Sequence, residues 1–142
     1  MELQEIGSLS LLISKINGQS EQWKQQSGIN GYLLKPLYAL YLNPTMTQKQ
    51  IGDCCSLPKQ TVSNAIREMK QNGYVLLETA EEDRRERHII ITEKGRAYLD
   101  ELVSPILAFE TRVIARMGKD AYESLVYGLT KYAEAIELEA KE

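Results

Sequence analysis

The chain has 142 residues, of which 43% are hydrophobic and 26% charged, and its formal net charge is -3. This length is enough for one domain with its own core, and the composition is that of a folded chain rather than a disordered one. No apolar run approaches the roughly 20 residues that span a bilayer, and the start "MELQEIGSLS" has acids where an export signal carries lysines, so we expect a cytoplasmic protein with no membrane segment.

Two helical patterns come first. Apolar residues recur at helical spacing near the N-terminus: Leu3, Ile6, Leu9, Ile13 and Ile16. Asn17-Gly18 either ends this helix or weakens it, since the polar stretch that follows could be its second half. The segment "INGYLLKPLYALYL" predicts another helix, in which Pro36 either produces a kink or stands in the first turn.

The segment "PTMTQKQIGDCCSLPKQTVSNAIREMKQNGYVLLE" predicts a helix-turn-helix. Thr47 and Gln50 form a T-x-x-Q capping box at the start of a short helix over residues 48–54. "CSL" is then a tight turn, and Pro58 opens a longer helix at a position where its missing N–H costs little. Val62, Ile66 and Met69 form the inner face of this longer helix, and Gly73 suits its C-terminus.

Two short runs rich in β-forming residues, "YVLLE" and "HIIIT", flank a charged loop and predict a β-hairpin. A hairpin directly after a helix-turn-helix makes a winged helix, so the predicted fold is mainly α with a small β-hairpin. Thr92 can cap a long helix kinked at Pro105, and Asp120 with Glu123 suggests the start of a last helix. The first and last helices have apolar stripes, but little of the domain remains for these stripes to pack against. Pairing with a second copy of the chain is the simplest way to bury them.

The outward face of the helix that follows Pro58 is polar and basic: Lys59, Gln60, Ser63, Asn64, Arg67 and Gln71. Gln and Asn can bond adenine edges, Arg can bond guanine, and Lys59 with the first-turn N–H groups suits phosphate. An ordinary solvated helix face would have the same composition, but the helix-turn-helix context favours DNA. Residues 1–77 hold seven Lys and Arg against five Asp and Glu, whereas residues 97–142 hold five against nine. The acidity therefore lies in the C-terminal third, and the middle of the chain can meet an anion.

The loop in "TAEEDRRERHIIIT" places three arginines beside four acids at the tip of the predicted hairpin. An arginine at such a tip can reach a narrow minor groove, and Asp83, two residues before Arg85, can orient its guanidinium. The alternative is a solvated turn whose charges contribute little beyond solubility.

These segments resemble the MarR (multiple antibiotic resistance regulator) family of dimeric winged-helix transcription factors. The specific part is the wing, where Asp83-x-Arg85 is followed by Thr92-Glu93-Lys94-Gly95, and "LPKQTVSNAI" is similar to the family's recognition helices. The resemblance implies DNA contacts from one set of residues on that helix: Pro58, Lys59, Gln60, Thr61, Ser63, Asn64 and Arg67. It also implies a minor-groove role for Arg85, with Arg84 and Arg87 near phosphates.

The resemblance further implies a homodimer paired through the N- and C-terminal helices, and a small aromatic or phenolic effector. Tyr32 and Tyr38 are candidate effector contacts, although such tyrosines are more often core or interface residues. We expect residues 1–29 and 97–142 to form the dimerisation region and residues 30–96 the DNA-binding region of one integrated domain.

His88 is the only histidine in the sequence, and Cys54 and Cys55 are the only cysteines. No metal site, cofactor or enzymatic activity is therefore predicted. Both cysteines are expected to be buried and inert. His88 itself should be partly buried or should contact phosphate. The predicted function is a sequence-specific, ligand-responsive repressor that binds double-stranded DNA. The alternative is a winged-helix protein-interaction module that acts through its acidic C-terminal helices.

Overall fold

The computed structural model of the chain describes residues 1–29, 34–79 and 87–141. In these ranges six helices and one antiparallel hairpin form, which confirms the predicted mainly α fold. The elements are α1 (Leu3–Gln26), α2 (Leu34–Leu42), α3 (Gln48–Cys55), α4 (Lys59–Gln71), β1 (Val75–Thr79), β2 (Arg87–Ile91), α5 (Glu93–Met117) and α6 (Lys119–Glu139). The chain divides into two compact units, Met1–Leu102 and Val103–Glu142. None of the helices in the described ranges has the length and apolar character needed to cross a membrane.

Helix α1 is continuous through Asn17 and Gly18 and ends only at Gln26, so the polar stretch is its second half. Gly28, at φ 70°, follows the helix in the left-handed conformation that glycine adopts without a steric cost. No residue of α1 is buried, and Leu3 and Ile6 are 87% and 57% exposed. Leu9 and Ile13 of the predicted stripe are half-buried, so the described part of this single chain covers the stripe only in part.

The core of the first unit lies between α2, α3, α4, the hairpin and the start of α5. Its buried apolar side chains are Leu37, Leu40, Ile51, Val62, Ile66, Met69, Val75, Ile89 and Leu99. This confirms the predicted inner face of α4. Pro36 is the third residue of α2, in the first turn, where its lack of an N–H leaves no helical bond unmade. Burial of one such side chain stabilises the fold by about 1.5–3 kcal/mol.

The capping box at the start of α3 is present as predicted. The Gln50 backbone N–H donates to Thr47 Oγ1 at 3.2 Å, and the Thr47 N–H donates to Gln50 Oε1 at 2.9 Å. Thr47 is buried and also forms an isolated antiparallel bridge with His88 of β2. The same residue therefore begins the helix-turn-helix and holds it against the hairpin.

We expect Thr47→Ala to lower the free energy of unfolding by about 1–2 kcal/mol, because a helix cap is lost at a buried position. Chemical unfolding of the DNA-free protein would measure the change. Thr45→Ala is the matched control, since that hydroxyl bonds only the exposed Asn43 side chain among the hydrogen bonds of the described residues. Equal losses in the two variants would contradict the structural role of Thr47.

The turn between α3 and α4 differs from the prediction by one residue. Ser56 adopts the left-handed conformation (φ 51°, ψ 46°), and the Leu57 N–H donates to the Gly52 carbonyl at 3.0 Å. Pro58, with ψ 144°, is the N-cap of α4, and Lys59 is the first helical residue. Pro58 opens the helix as predicted, but as its N-cap, one residue before the first helical position.

The hairpin is confirmed, with both strands displaced by one residue from the predicted runs. Val75 pairs with Ile91 and Thr79 pairs with Arg87 in an antiparallel register. Thr92 leaves β2 to cap α5, since its Oγ1 accepts a hydrogen bond from the Gly95 N–H at 3.0 Å, as predicted. The loop at residues 80–86 lies outside the described residues.

Helix α6 begins earlier than predicted. Gly118 (φ 90°) is its N-cap and Lys119 its first residue, so Asp120 lies in the first turn and does not cap the helix. The side-chain capping pattern suggested a later start for α6. In the structure Gly118, a glycine with positive φ, ends α5 and sets the earlier start of α6. Pro105 is an interior residue of α5. No residue of α6 is buried.

Candidate nucleic-acid interface

The predicted contact residues on α4 and at its N-cap are all accessible to solvent. Four are exposed, Pro58, Lys59, Gln60 and Arg67, and three are half-buried, Thr61, Ser63 and Asn64. The opposite face of α4 is buried against the core. Because core packing fixes one face of the helix, the polar face is presented to solvent in a fixed orientation.

The N-terminal end of α4 suits an anion. No side chain in the described part of the chain caps it, and its first turn contains no acidic residue. The N–H groups of a first helical turn have no partner within the helix and carry a partial positive charge. Lys59 adds a full charge at the same end, and Glu68 is the only acid in α4. A phosphate oxygen would therefore find donors and positive potential here.

Two of the predicted base-contacting residues are bonded to each other. Gln60 Nε2 donates to Asn64 Oδ1 at 2.9 Å, across one turn of α4. This contact could not be read from the two residues individually, since each was considered as a separate base reader. The spacing of four was the available signal, because residues i and i+4 are neighbours on a helix surface.

The wing residues are only partly described. Arg87, the first residue of β2, is exposed and pairs with Thr79 at the end of the hairpin next to the connecting loop. Asp83, Arg84 and Arg85 lie outside the described residues. His88 is exposed, so the expectation of partial burial was wrong, and the phosphate contact stays a prediction. Its exposure follows from alternation, since the adjacent Ile89 occupies the core face of β2.

Thr92, Lys94 and Gly95 form a cluster that we call the wing clamp, because it joins the base of the hairpin to the end of α4. Thr92 Oγ1 donates to the Gly73 carbonyl at 2.6 Å, and the Thr92 N–H donates to the Tyr74 carbonyl at 3.0 Å. Lys94 Nζ donates to the Asn72 carbonyl at 2.9 Å. These bonds satisfy three successive carbonyls that follow the last turn of α4.

Gly95 is required by the close approach of two backbone segments in the clamp. A Cβ atom at this position would lie 1.9 Å from the Tyr74 carbonyl oxygen, far inside van der Waals contact. Apart from the cap by Thr92, the sequence identified Thr92-Glu93-Lys94-Gly95 only by its resemblance to the family. In the structure this segment also fixes the wing relative to the helix that carries the polar face.

Aromatic residues reinforce the clamp. The rings of Tyr74 and Tyr98 stack with centroids 4.3 Å apart and nearly parallel planes, and the Lys94 ammonium lies 5.4 Å from the Tyr74 ring. Burial, followed by the nearby Tyr74, raises the pKa of the Tyr98 phenol, which keeps it neutral. Sequence reasoning missed this stack because Tyr74 and Tyr98 lie in different elements and share no spacing pattern.

The cysteines differ from the expectation. Cys54 is exposed, so the prediction that both thiols are buried was wrong, and Cys55 is half-buried with its Sγ 3.6 Å from the Lys35 carbonyl oxygen. Cys55 follows the buried Ile51 by four residues and shares its side of α3, whereas Cys54 is turned about 100° away. Burial and the adjacent Cys54 raise the pKa of the Cys55 thiol, which disfavours the reactive thiolate.

The described residues contain no group of three His, Cys, Asp or Glu side chains able to hold a metal ion. Of the two candidate effector contacts, Tyr38 is half-buried on α2. Tyr32 lies outside the described residues. The effector site therefore stays a prediction.

Comparisons with known proteins agree with this geometry. A model of the MarR family matches residues 37–86, which include α3, α4 and β1. The chain is 32% identical to NMB1585, a MarR family regulator from Neisseria meningitidis, with a TM-score of 0.82 over 100% of this chain and 99% of that one.

Two further known proteins are similar to the chain. YwoH, an uncharacterised helix-turn-helix transcriptional regulator of Bacillus subtilis, is 29% identical over 83% of this chain and 85% of its own length. The Staphylococcus aureus MepR–DNA complex shares the fold at a TM-score of 0.64 and 21% identity, over 92% of this chain and 97% of that one. The helix-turn-helix, the wing with its clamp and the full-length match to NMB1585 lead to one conclusion: the chain belongs to the MarR family of DNA-binding transcriptional regulators.

Proposed function

We propose that the protein is a homodimeric repressor that recognises a pseudo-palindromic operator by placing the α4 helix of each subunit in the major groove. The observation that carries this proposal is the polar, solvent-facing side of α4 with its uncapped N-terminus. Bound at a promoter, the dimer would block transcription by occupying it. A regulator of chromosomal genes is expected in the cytoplasm.

Phosphate contacts would position the protein and base contacts would give it specificity. Lys59 and the first turn of α4 suit one phosphate, and the exposed Arg67 and Arg87 suit others. Gln60 and Asn64, near the N-terminal end of α4, are the candidate base readers. In the helix-turn-helix the N-terminal residues of the second helix contact base edges.

The dimer is proposed from the exposed apolar faces of α1 and α6. On α6, six apolar or aromatic residues lie on one helical face and are 37–50% exposed: Tyr122, Leu125, Val126, Leu129, Tyr132 and Ile136. A stripe of this size on a soluble monomer marks an interaction surface. The same stripe on a second copy of the chain would bury it in a two-fold symmetric interface. Such a dimer would place the two α4 helices about 10 base pairs apart on the DNA.

A fluorescence-polarisation titration tests the proposal with duplexes selected from a random pool, at several salt concentrations. We expect affinity to fall steeply with salt, since Lys and Arg contacts release counterions from the phosphates. Selected sites should contain two inverted half-sites. If no duplex is bound even at low salt, the proposal is wrong and the alternative is favoured, a protein-interaction module that acts through the acidic C-terminal helices.

We expect Arg85→Ala to weaken binding to every selected operator by about 1–3 kcal/mol, because the wing would lose its minor-groove contact. The loss should be largest for operators with A·T-rich flanks, where the groove is narrow. Lys141→Ala is the matched control, since it removes the same charge from the end of the chain, where Lys141 pairs with Glu137. Unchanged affinity of Arg85→Ala would refute the proposed role of the wing.

A small aromatic or phenolic effector would relieve repression if it favoured a dimer in which the two α4 helices no longer match the groove spacing. This part of the proposal is supported only by the family resemblance. Tyr38 is the described candidate for the contact.

A further inference from the structure

We infer that Gln60 and Asn64 read one A·T base pair as a unit, in which Asn64 contacts the adenine and Gln60 orients the Asn64 amide. This inference rests on the proposed function, because it needs α4 to lie in a major groove. It assigns the two residues different roles, a base reader and a positioning residue.

The geometry places the two side chains together near the start of α4. Gln60 is the second residue of the helix and Asn64 lies one turn further on, with Gln60 Nε2 2.9 Å from Asn64 Oδ1. Gln60 is exposed, whereas Asn64 is half-buried. The pair therefore exists before DNA binds, and its orientation need not be acquired in the complex.

The donors and acceptors left over by this bond match adenine. A side-chain amide has two N–H donors and an oxygen that can accept two bonds. The contact uses one N–H of Gln60 and one acceptor site of Asn64, so Asn64 keeps both N–H donors and one acceptor site. In the major groove adenine presents N7 as an acceptor beside the N6 amino donor, which an amide meets with two bonds.

The bond also couples the orientations of the two amides. If the Asn64 amide alone were rotated by 180°, its NH2 group would face the NH2 group of Gln60, donor against donor, so the Asn64 amide can reverse only together with that of Gln60. The guanine edge presents two acceptors, N7 and O6. The Asn64 amide oxygen is itself an acceptor, so it can form a hydrogen bond with neither of them. Gln60 therefore acts on base choice through the orientation of Asn64, without needing a base of its own.

A purely local role predicts a different result. A hydrogen bond between residues i and i+4 stabilises an exposed helix, and its loss would change stability without changing which base is preferred. Two independent readers would each affect a different base pair. Coupling at a single base pair is the property that distinguishes the inference from both.

The test measures affinities of the wild type, Gln60→Ala, Asn64→Ala and the double variant for the selected operator and its single-base-pair changes. We expect the wild type to prefer adenine at one position of each half-site by on the order of ten-fold or more. Both single variants should lose this preference at the same position. The double variant should lose no more than Asn64→Ala alone.

Gln60→Glu provides a second readout. A carboxylate accepts but does not donate, so it would bond the nitrogen of Asn64 and turn the amide round. We expect Gln60→Glu to prefer adenine less than Gln60→Ala does. The preference is measured as the ratio of the affinities for two duplexes, so the general repulsion between the added carboxylate and DNA cancels. Gln22→Ala, at an exposed position of α1, is the matched control and should keep the wild-type preference.

Each outcome decides the matter. If Gln60→Ala changes the preference at a different base pair from Asn64→Ala, or if the two losses add at one pair, the unit is refuted and the proposed function stands. A Gln60→Ala protein that is less stable but keeps the adenine preference also refutes it. A wild type that distinguishes no sequences would refute the proposed function together with the inference.

Discussion

Gly95→Ala is expected to destabilise the protein by about 3 kcal/mol or more, which would lower its melting temperature by about 10 °C. The added Cβ would lie 1.9 Å from the Tyr74 carbonyl oxygen and 2.7 Å from its carbonyl carbon. Both neighbours are backbone atoms, so the strain cannot be relieved by a side-chain rotation. Either the start of α5 or the segment after α4 must move. The total free energy of unfolding of an ordinary domain is about 5–15 kcal/mol, so this loss is a large part of it.

The measurement is thermal and urea unfolding, followed by circular dichroism at one fixed protein concentration. Gly18→Ala is the matched control, because Gly18 lies inside α1 and a Cβ there would meet nothing within 4 Å among the described residues. That substitution should be neutral or should stabilise the helix by up to about 1 kcal/mol. If Gly95→Ala were as stable as Gly18→Ala, the close approach at the wing clamp would be wrong.

The folded fraction of Gly95→Ala should also bind DNA less tightly. The clamp fixes the base of the wing to the carbonyls that follow α4, so a shift there changes the distance between the two DNA-binding elements. Titrations at a temperature where the variant is still folded would separate this effect from unfolding. Retention of full operator affinity would show that the clamp supports stability alone.

Leu129→Glu is expected to abolish dimerisation and to weaken operator binding by about 100-fold or more. Leu129 lies at the middle of the exposed apolar stripe of α6. In a two-fold symmetric interface one substitution appears twice, so two carboxylates would lose their hydration without a partner. A monomer binds only one half-site, and the gain from linking two half-sites is about 100- to 10,000-fold.

Sedimentation or light scattering reports the oligomeric state, and polarisation reports the affinity. Ser124→Glu is the matched control, because it adds the same charge to α6 on the face opposite the apolar stripe. We expect it to remain dimeric. A Leu129→Glu protein that is still a dimer would place the interface elsewhere, and a wild type that is a monomer would exclude the proposed half-site spacing.

Local sequence signals determined the elements that depend on neighbours along the chain. The Thr47–Gln50 capping box, the buried stripe of α4, the cap by Thr92 and the paired β runs are all present. Each depends on interactions within a few residues or on one simple period. The errors at the ends of elements have the same origin, because a single residue such as Gly118 with a positive φ shifts a helix start without changing the pattern around it.

The sequence by itself determined that this chain builds a winged helix-turn-helix with a polar, basic helix face, because periodicity, caps and turn residues are local properties. Only the tertiary structure decided that Thr92, Lys94 and Gly95 hold the wing to the end of α4, and that Gln60 is bonded to Asn64. It also decided that Cys54 is exposed and that α1 and α6 have no buried residue against the described part of the chain. These features depend on which atoms approach one another in the folded chain, and no spacing along the chain specifies that distance.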